Sequence, residues 1–369
     1  MRGKRVILAV LLCALLCPVT VRGEAEFSCA LQTDGTVWIT AWNGTGSEVT
    51  VPETLDGRPV SGIGDGVFRD RTSLTVNLPA GLTHFGTEAF GTVFSRVKRI
   101  RCALESETAR HLTMSFCPYE APSVALIWQS GVLCLRGVDE EATEVTVPDG
   151  VEKVIANAVY RHPTLRRIVL PESVTEIGQE AFYGSSLLTV VLPSGVRTIG
   201  TGAFGNFGSG AVAGVVCDPL SGTAQLLSGL TFFAPGNETC RLAWTGGELV
   251  LLRVQGEGPY HIHPAVERIT DEAAAAMPVM TVPEDTQVIG PEAFRACGAN
   301  RLYVPDSVTE IGSAAFADCP DLVLLRLPGG LADLPDGLLD GSPHVTVITP
   351  AGSETAAWCA RNGIPTADE

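Results

Sequence analysis

One eighteen-residue pattern returns along the chain, and it constrains the fold more than any other feature. LRRIVLPESVTEIGQEAF (165–182) is followed by LLTVVLPSGVRTIGTGAF (187–204), with Leu170/Leu192, Val174/Val196, Ile177/Ile199, Gly178/Gly200 and Phe182/Phe204 each 22 residues apart. The same frame returns at 280–297 and 302–319. Nine copies are legible, headed by Pro52, Pro79, Pro148, Pro171, Pro193, Pro264, Pro283, Pro305 and Pro328. A repeat of this length reads as one solenoid coil. In LRRIVL, alternation sends Ile168 and Leu170 to one face and Arg167 and Val169 to the other, as in a short strand. The proline that follows cannot donate to a ladder, so it ends the strand. The Ile-Gly pair carries the chain across, and its glycine is expected where φ is positive. Ala-Phe then falls on a turn or short helical segment with Phe filling the interior, a burial that contributes about 1.5–3 kcal/mol. One such coil cannot offset an ordering cost of about 1–2 kcal/mol per residue, so the copies must stack.

LPESVTEIGQEAF and VPDSVTEIGSAAFADC resemble the BspA-like leucine-rich repeats of secreted bacterial proteins, whose form is LPxxVTxIGxxAFxxC. The resemblance implies a leucine-rich-repeat-like solenoid of short parallel β-strands, turns and short helical segments. It also implies a role in adhesion to host or neighbouring cells. Two copies depart from the form and are expected to be distorted or to act as spacers. The one at Pro264 has Ala273-Ala274 for Ala-Phe, and the one at Pro328 has Leu338-Leu339.

A longer order lies above the coil. SETARHLTMSF (106–116), SGTAQLLSGLTF (221–232) and SETAAWCARNGI (353–364) align, each after a short apolar strand, and their serines suit helix N-caps. QTDGTVWIT (32–40), WQSGVLCLR (128–136) and WTGGELVLLR (244–253) share a glycine-bearing turn and read as β-hairpins. Such hairpin and strand–helix caps cover coil ends that would otherwise pair with other chains. Four segments are therefore expected: a signal peptide at 1–23 and blocks of two, three and four coils at 24–119, 120–237 and 238–369. The blocks either form one solenoid or hang as separate beads.

Residues 1–23 carry the signal pattern: basic Arg2, Lys4 and Arg5, an apolar run from Val6 to Cys17, then Pro18 and small residues. About 12 apolar residues are too few to span a bilayer, which takes about 20. No later stretch of the chain is long and apolar enough to span one, so a secreted or cell-surface location is expected. Cleavage after Gly23 removes four basic residues and no acidic ones, taking the net charge from −16 to −20. A chain this acidic repels phosphate backbones, which argues against nucleic acid as partner.

Nine of the 11 cysteines remain after such cleavage, an odd number with no CxxC spacing. Cys297 and Cys319 hold the same position in successive coils, so either a disulfide or a pair of small apolar fillers fits them, the filler being the plainer reading. His261 and His263 share one strand face, but two ligands without a third make no metal site. Gly205–Gly214 reads as a loop rather than a phosphate cradle, and Glu140-Glu141 and Asp271-Glu272 as solvated acids. HExxH, Walker A and strand-borne GxSxG patterns are missing from the sequence, so no catalytic residue, metal or cofactor is assigned. Asn43-Gly44-Thr45 and Asn237-Glu238-Thr239 are glycosylation sequons, of consequence only in a eukaryotic producer. Outward strand positions remain as the candidate binding surface: Arg167, Val169, Thr189, Val191, Thr281, Arg301, Tyr303 and Arg326. Their expected partner is an extracellular protein or glycan; a structural, self-associating envelope component is the alternative.

Overall fold

The structure is a computed structural model that describes residues 20–22, 26–92, 96–205, 211–227, 230–254, 262–270, 273 and 282–368. Of the expected signal peptide, only the strand Thr20–Arg22 lies within them, antiparallel to Phe27–Leu31. Two compact units divide the chain, Met1–Ser130 and Gly131–Glu369. The division falls in a turn whose two residues, Ser130 and Gly131, both have positive φ.

Within each unit a coil contributes one strand to each of two parallel ladders. In the first unit, Glu48–Thr50, Thr75–Asn77, Arg99–Cys102 and Cys117–Pro118 pair in that order. The second ladder starts from the antiparallel hairpin Phe27–Leu31/Val37–Trp42 and continues in parallel through Arg58–Ile63 to His84–Phe85. The strands are short because each coil offers only one or two inward apolar residues before proline or glycine interrupts it. Their central residues, such as Val49, Val76 and Ile100, are buried.

The second unit repeats this plan. Glu144–Thr146, Arg167–Val169, Thr189–Val191 and Gly214–Val216 form one parallel run, and Val132–Val138, Lys153–Val154, Glu176–Ile177 and Thr198–Ile199 the other. The first run does not stop there. Phe232–Ala234 joins it in parallel, then Asn237–Thr245 and Glu248–Val254 reverse as a hairpin. That hairpin hands the sheet on to Arg268–Ile269, Val288–Ile289 and Glu310–Ile311, the isoleucine-bearing second strands of later coils. A separate sheet of Arg301–Tyr303, Leu324–Arg326, Thr346–Ile348 and Thr366–Ala367 completes the unit.

Between the ladders stand the aromatic rungs. Phe182 stacks on Phe204 at 5.7 Å, Phe294 on Phe316 at 5.4 Å and, in the first unit, Phe68 on Phe90 at 5.8 Å. The Ala-Phe segments are turns rather than helices, and they extend the ladder: Phe182 N donates to Ala203 O and Phe294 N to Ala315 O, both at 2.8 Å. Each stacked Phe therefore sits on a hydrogen-bonded rung.

Glycine in the Ile-Gly pair has a different cause from the one expected. Gly178, Gly200 and Gly312 are not at positive φ. A Cβ on Gly178 would run into the backbone of Ile155 and Ala156 in the coil before, and Gly200 and Gly312 face the same obstruction. Close coil-to-coil approach is what excludes a side chain there. Positive φ falls instead on the residue before Ala-Phe, which is Glu180 (51°), Glu292 (54°) and Ala314 (55°) in the second unit and Glu88 (53°) in the first.

The irregular copies depart in different ways. The coil at Pro264 keeps its ladder strand, Arg268–Ile269, and buries Ala273; Ala274 lies outside the described residues. In the coil at Pro328, Pro335 occupies the place of Gly312 one coil later. Gly312 N donates to Ile289 O at 2.8 Å, and proline has no N–H to continue that row, so the run ends at Glu310–Ile311. Leu338 is buried at the alanine position, while Leu339 at the phenylalanine position is half-buried.

Serine N-caps stand where their spacing predicts. Ser106, Ser221 and Ser353 accept from the backbone N–H three residues on and open the helices Glu107–His111, Gly222–Leu226 and Glu354–Arg361. The threonine two residues after each cap is fully buried and locks the helix to a coil. Thr223 Oγ donates to Pro193 O at 2.7 Å and accepts from Val196 N at 3.1 Å. Thr108 repeats the arrangement on Pro79 and Leu82, and Thr355 donates to Pro328 O.

Candidate functional site

Seven of the eight predicted surface residues lie in the described structure, and they fall into two groups on different sheets. Arg167 pairs with Thr189 and Val169 with Val191, all half-buried on the outward side of their strands. Arg301 pairs with Leu324 and Tyr303 with Arg326 on the last sheet. Thr281 lies outside the described residues.

The second group is the more organised. Tyr303 is 44% exposed, and the Arg326 guanidinium lies over its ring at 4.8 Å from the centroid. Arg326 is itself held from behind: its Nη1 donates to Val304 O at 2.9 Å and pairs with Asp306 Oδ1 at 2.7 Å. The guanidinium holds the Asp306 carboxyl below the usual carboxylate range. Arg326 thus works as a shelf that fixes the ring, and it presents little charge of its own, its side chain being 12% exposed. Arg301, on the same strand as Tyr303, is exposed.

The first unit carries an outward patch that its sequence did not single out. Arg99–Cys102, expected only as a terminating strand, continues the sheet, so Glu48, Thr75 and Arg99 form one outward row and Thr50, Asn77 and Arg101 the next. Asn77 Nδ2 donates to Glu48 Oε1 at 2.8 Å and to Thr50 Oγ1 at 3.3 Å, and Arg101 approaches Glu48 at 3.6 Å. Asn77 Oδ1 and Arg101 Nε are buried and have no hydrogen-bond partner. Tyr119 lies close by, its hydroxyl donating to Leu78 O at 3.1 Å. The available signal was the alternation in RIRC itself, Arg outward and Ile and Cys inward, which matches every coil strand before it.

The remaining sequence candidates are absorbed locally. His263 Nδ1 accepts from Ala265 N at 3.3 Å, while His261 and Asp271-Glu272 lie outside the described residues, as do 206–210 of the glycine-rich stretch. Cys297 Sγ and Cys319 Sγ are 3.3 Å apart and buried. Among the described residues, no helix is long and apolar enough to cross a membrane, and no group of three His, Cys, Asp or Glu is placed to hold a metal ion.

The geometry described above belongs to a known kind of repeat. Six copies of the BspA type leucine rich repeat region match residues 138–210 and 273–355. Among solved structures, a leucine rich cell surface protein from Faecalibacterium prausnitzii A2-165 is 22% identical, over 95% of this chain and 99% of that one, with a TM-score of 0.33. A leucine-rich repeat protein from Eubacterium ventriosum ATCC 27560 is 14% identical over 91% of this chain and 79% of that one, with a TM-score of 0.25. The leucine rich repeat protein of T. pallidum is 19% identical over 80% and 88%, with a TM-score of 0.18. No curated protein matches the chain. The repeats at 138–210 and 273–355 are members of the BspA type leucine-rich repeat family, which the recurring LPxxVTxIGxxAF motif had pointed to.

Proposed function

We propose that this chain is a non-enzymatic, exported or surface-displayed protein that binds another protein, or a glycan, through outward strand positions of its coils. Its coils are taken as three capped blocks, 24–119, 120–237 and 238–369. The basic-then-apolar pattern of residues 2–17 supports export. One observation carries the binding assignment: the exposed Tyr303 ring, braced by Arg326 and Asp306 and followed in register by the next coil's strand. An aromatic held in one orientation loses little entropy on contact, and Tyr and Arg dominate binding energy at protein interfaces. The half-buried Val169 and Val191 offer a second, more apolar contact surface of the kind that interface centres use.

The test is capture of surface and matrix proteins by the purified chain, compared with a Tyr303→Ala, Arg301→Ala double variant. Capture is expected to fall at least about tenfold, with the far-UV circular dichroism spectrum unchanged. Undiminished capture by the folded variant removes the last sheet from the interface. Concentration-dependent growth in light scattering, with no captured partner, would favour the self-associating envelope component instead.

A further inference from the structure

We propose that Cys297 and Cys319 form an inter-coil disulfide, a covalent staple between the coil headed by Pro283 and the coil headed by Pro305. Their sulfurs stand 3.3 Å apart. A disulfide needs about 2.05 Å, so the side chains have to close by little more than about 1 Å between them. The backbone on both sides is already matched. Ala296 and Asp318, which precede the two cysteines, share a φ of 56°. Ala296 N donates to Ala317 O at 2.9 Å and Phe294 N to Ala315 O at 2.8 Å, which holds the coils at ladder spacing. Ladder neighbours lie about 4.8 Å apart, inside the Cα window of about 4.4–6.8 Å that a disulfide tolerates.

Packing alone does not call for sulfur here. In two other coils of the second unit the same position is filled by Ser185 and Ser342. Their hydroxyls donate to Val159 O at 2.7 Å and Phe316 O at 2.8 Å. Cys319 Sγ occupies the equivalent place, 3.2 Å from Phe294 O. A serine would serve that carbonyl better; what sulfur in two successive coils adds is the ability to bond.

The contact also makes the two thiols unequal. The hydrogen bond from Cys319 lowers the Cys297 thiol, and the same contact holds the Cys319 proton more tightly. Buried Cys102 and Cys217 are instead pushed up to about 12 by desolvation. Of the two thiols in contact, Cys297 therefore gives up its proton the more readily. The oxidant is a small-molecule disulfide such as oxidised glutathione. Cys297 attacks one of its sulfurs, the S–S bond breaks and one glutathione thiolate leaves with the electron pair. Cys319, deprotonated in turn, attacks the Cys297 sulfur of the mixed disulfide and expels the second glutathione. Two electrons end on the glutathione pair, and the two thiol protons end on the departing thiolates. Both cysteines are sealed in the folded coils, so the exchange runs during folding or local opening.

The loop so closed spans 22 residues and leads directly into the strands Arg301–Tyr303 and Leu324–Arg326. Oxidation would stiffen the approach to the Tyr303–Arg326 shelf. Only the cellular source of oxidant rests on the exported location proposed above; the chemistry in a test tube does not.

The full chain, refolded in a glutathione redox buffer, alkylated and peptide-mapped, should yield a linked Cys297–Cys319 peptide pair. Its thermal midpoint should exceed that of the reduced chain by about 5 °C. Cys319→Ser should fold, as Ser185 and Ser342 do in their coils, and should lose the redox dependence of the midpoint. Alkylation of both cysteines after oxidative refolding would overturn the proposal, as would a wild-type midpoint indifferent to reductant. A link that forms in glutathione buffer, in a protein that comes from its producing cells with both thiols free, upholds the staple and counts against export.

Discussion

The coil headed by Pro171 and the coil headed by Pro328 start from nearly the same sequence frame and end as different objects. In the first, Gly178 lets two backbones touch, Ile177 joins the ladder, and Phe182 is sealed against Phe204. In the second, Pro335 removes the donor that would extend the ladder, and Leu339 stays half-buried where phenylalanine belongs. The Pro328 coil is still held, by buried Leu331, Leu334 and Leu338 and by Thr355, which donates to Pro328 O from the closing helix. A regular coil is thus stabilised by its neighbours on both sides, and the last one by its cap. The lesson is that one proline ends the ladder that the coils headed by Pro264, Pro283 and Pro305 build.

Five substitutions would break or sharpen this contrast. Phe182→Ala should cost about 3–5 kcal/mol, because it opens a void in a stacked, fully buried rung, whereas Leu339→Ala should cost under about 1 kcal/mol. Chemical denaturation of the two variants side by side measures the difference, and equal losses would mean that the last coil is as tightly packed as the inner ones. Gly178→Ala comes next, at about 1–3 kcal/mol, since its methyl has only the backbone of Ile155 and Ala156 to displace. The matched change Pro335→Gly should be near neutral, since it returns a donor toward Ile311 O but also frees the backbone of the unfolded chain. The smallest effect is a gain: Glu180→Gly relieves a left-handed backbone at φ 51° and should stabilise by up to about 1 kcal/mol. Thermal unfolding followed by circular dichroism reads it, and a loss would show that the Glu180 side chain contributes more than its strain.

Much of this fold was legible before any coordinates. The 22-residue spacing located the strands, Pro171 and Pro193 marked their ends, and Ser106, Ser221 and Ser353 announced the capping helices, because each signal is carried by residues adjacent in the chain. The candidate surface was legible only in part. Alternation placed Arg301, Tyr303 and Arg326 outward, but it offered no means of telling that Arg326 is spent on Tyr303 and Asp306. The Glu48–Asn77–Arg101 patch escaped because Arg99–Cys102 was read as an end when it continues the sheet.

By itself the sequence determined the unit of construction: a coil, its length, its inward Phe and the need for copies. A coil of this kind satisfies its own residues in a way that local pattern records. Only the tertiary structure decided what passes between coils. It assigned Gly178 to close backbone approach rather than to positive φ, and it moved the left-handed residue to Glu180. The hairpin Asn237–Thr245/Glu248–Val254 was shown to join two kinds of strand in one sheet, and two sulfurs 22 residues apart were brought to 3.3 Å. Each of these depends on distances between residues about a coil apart, and the alternation of polar and apolar side chains within one coil carries no record of how closely the next will lie.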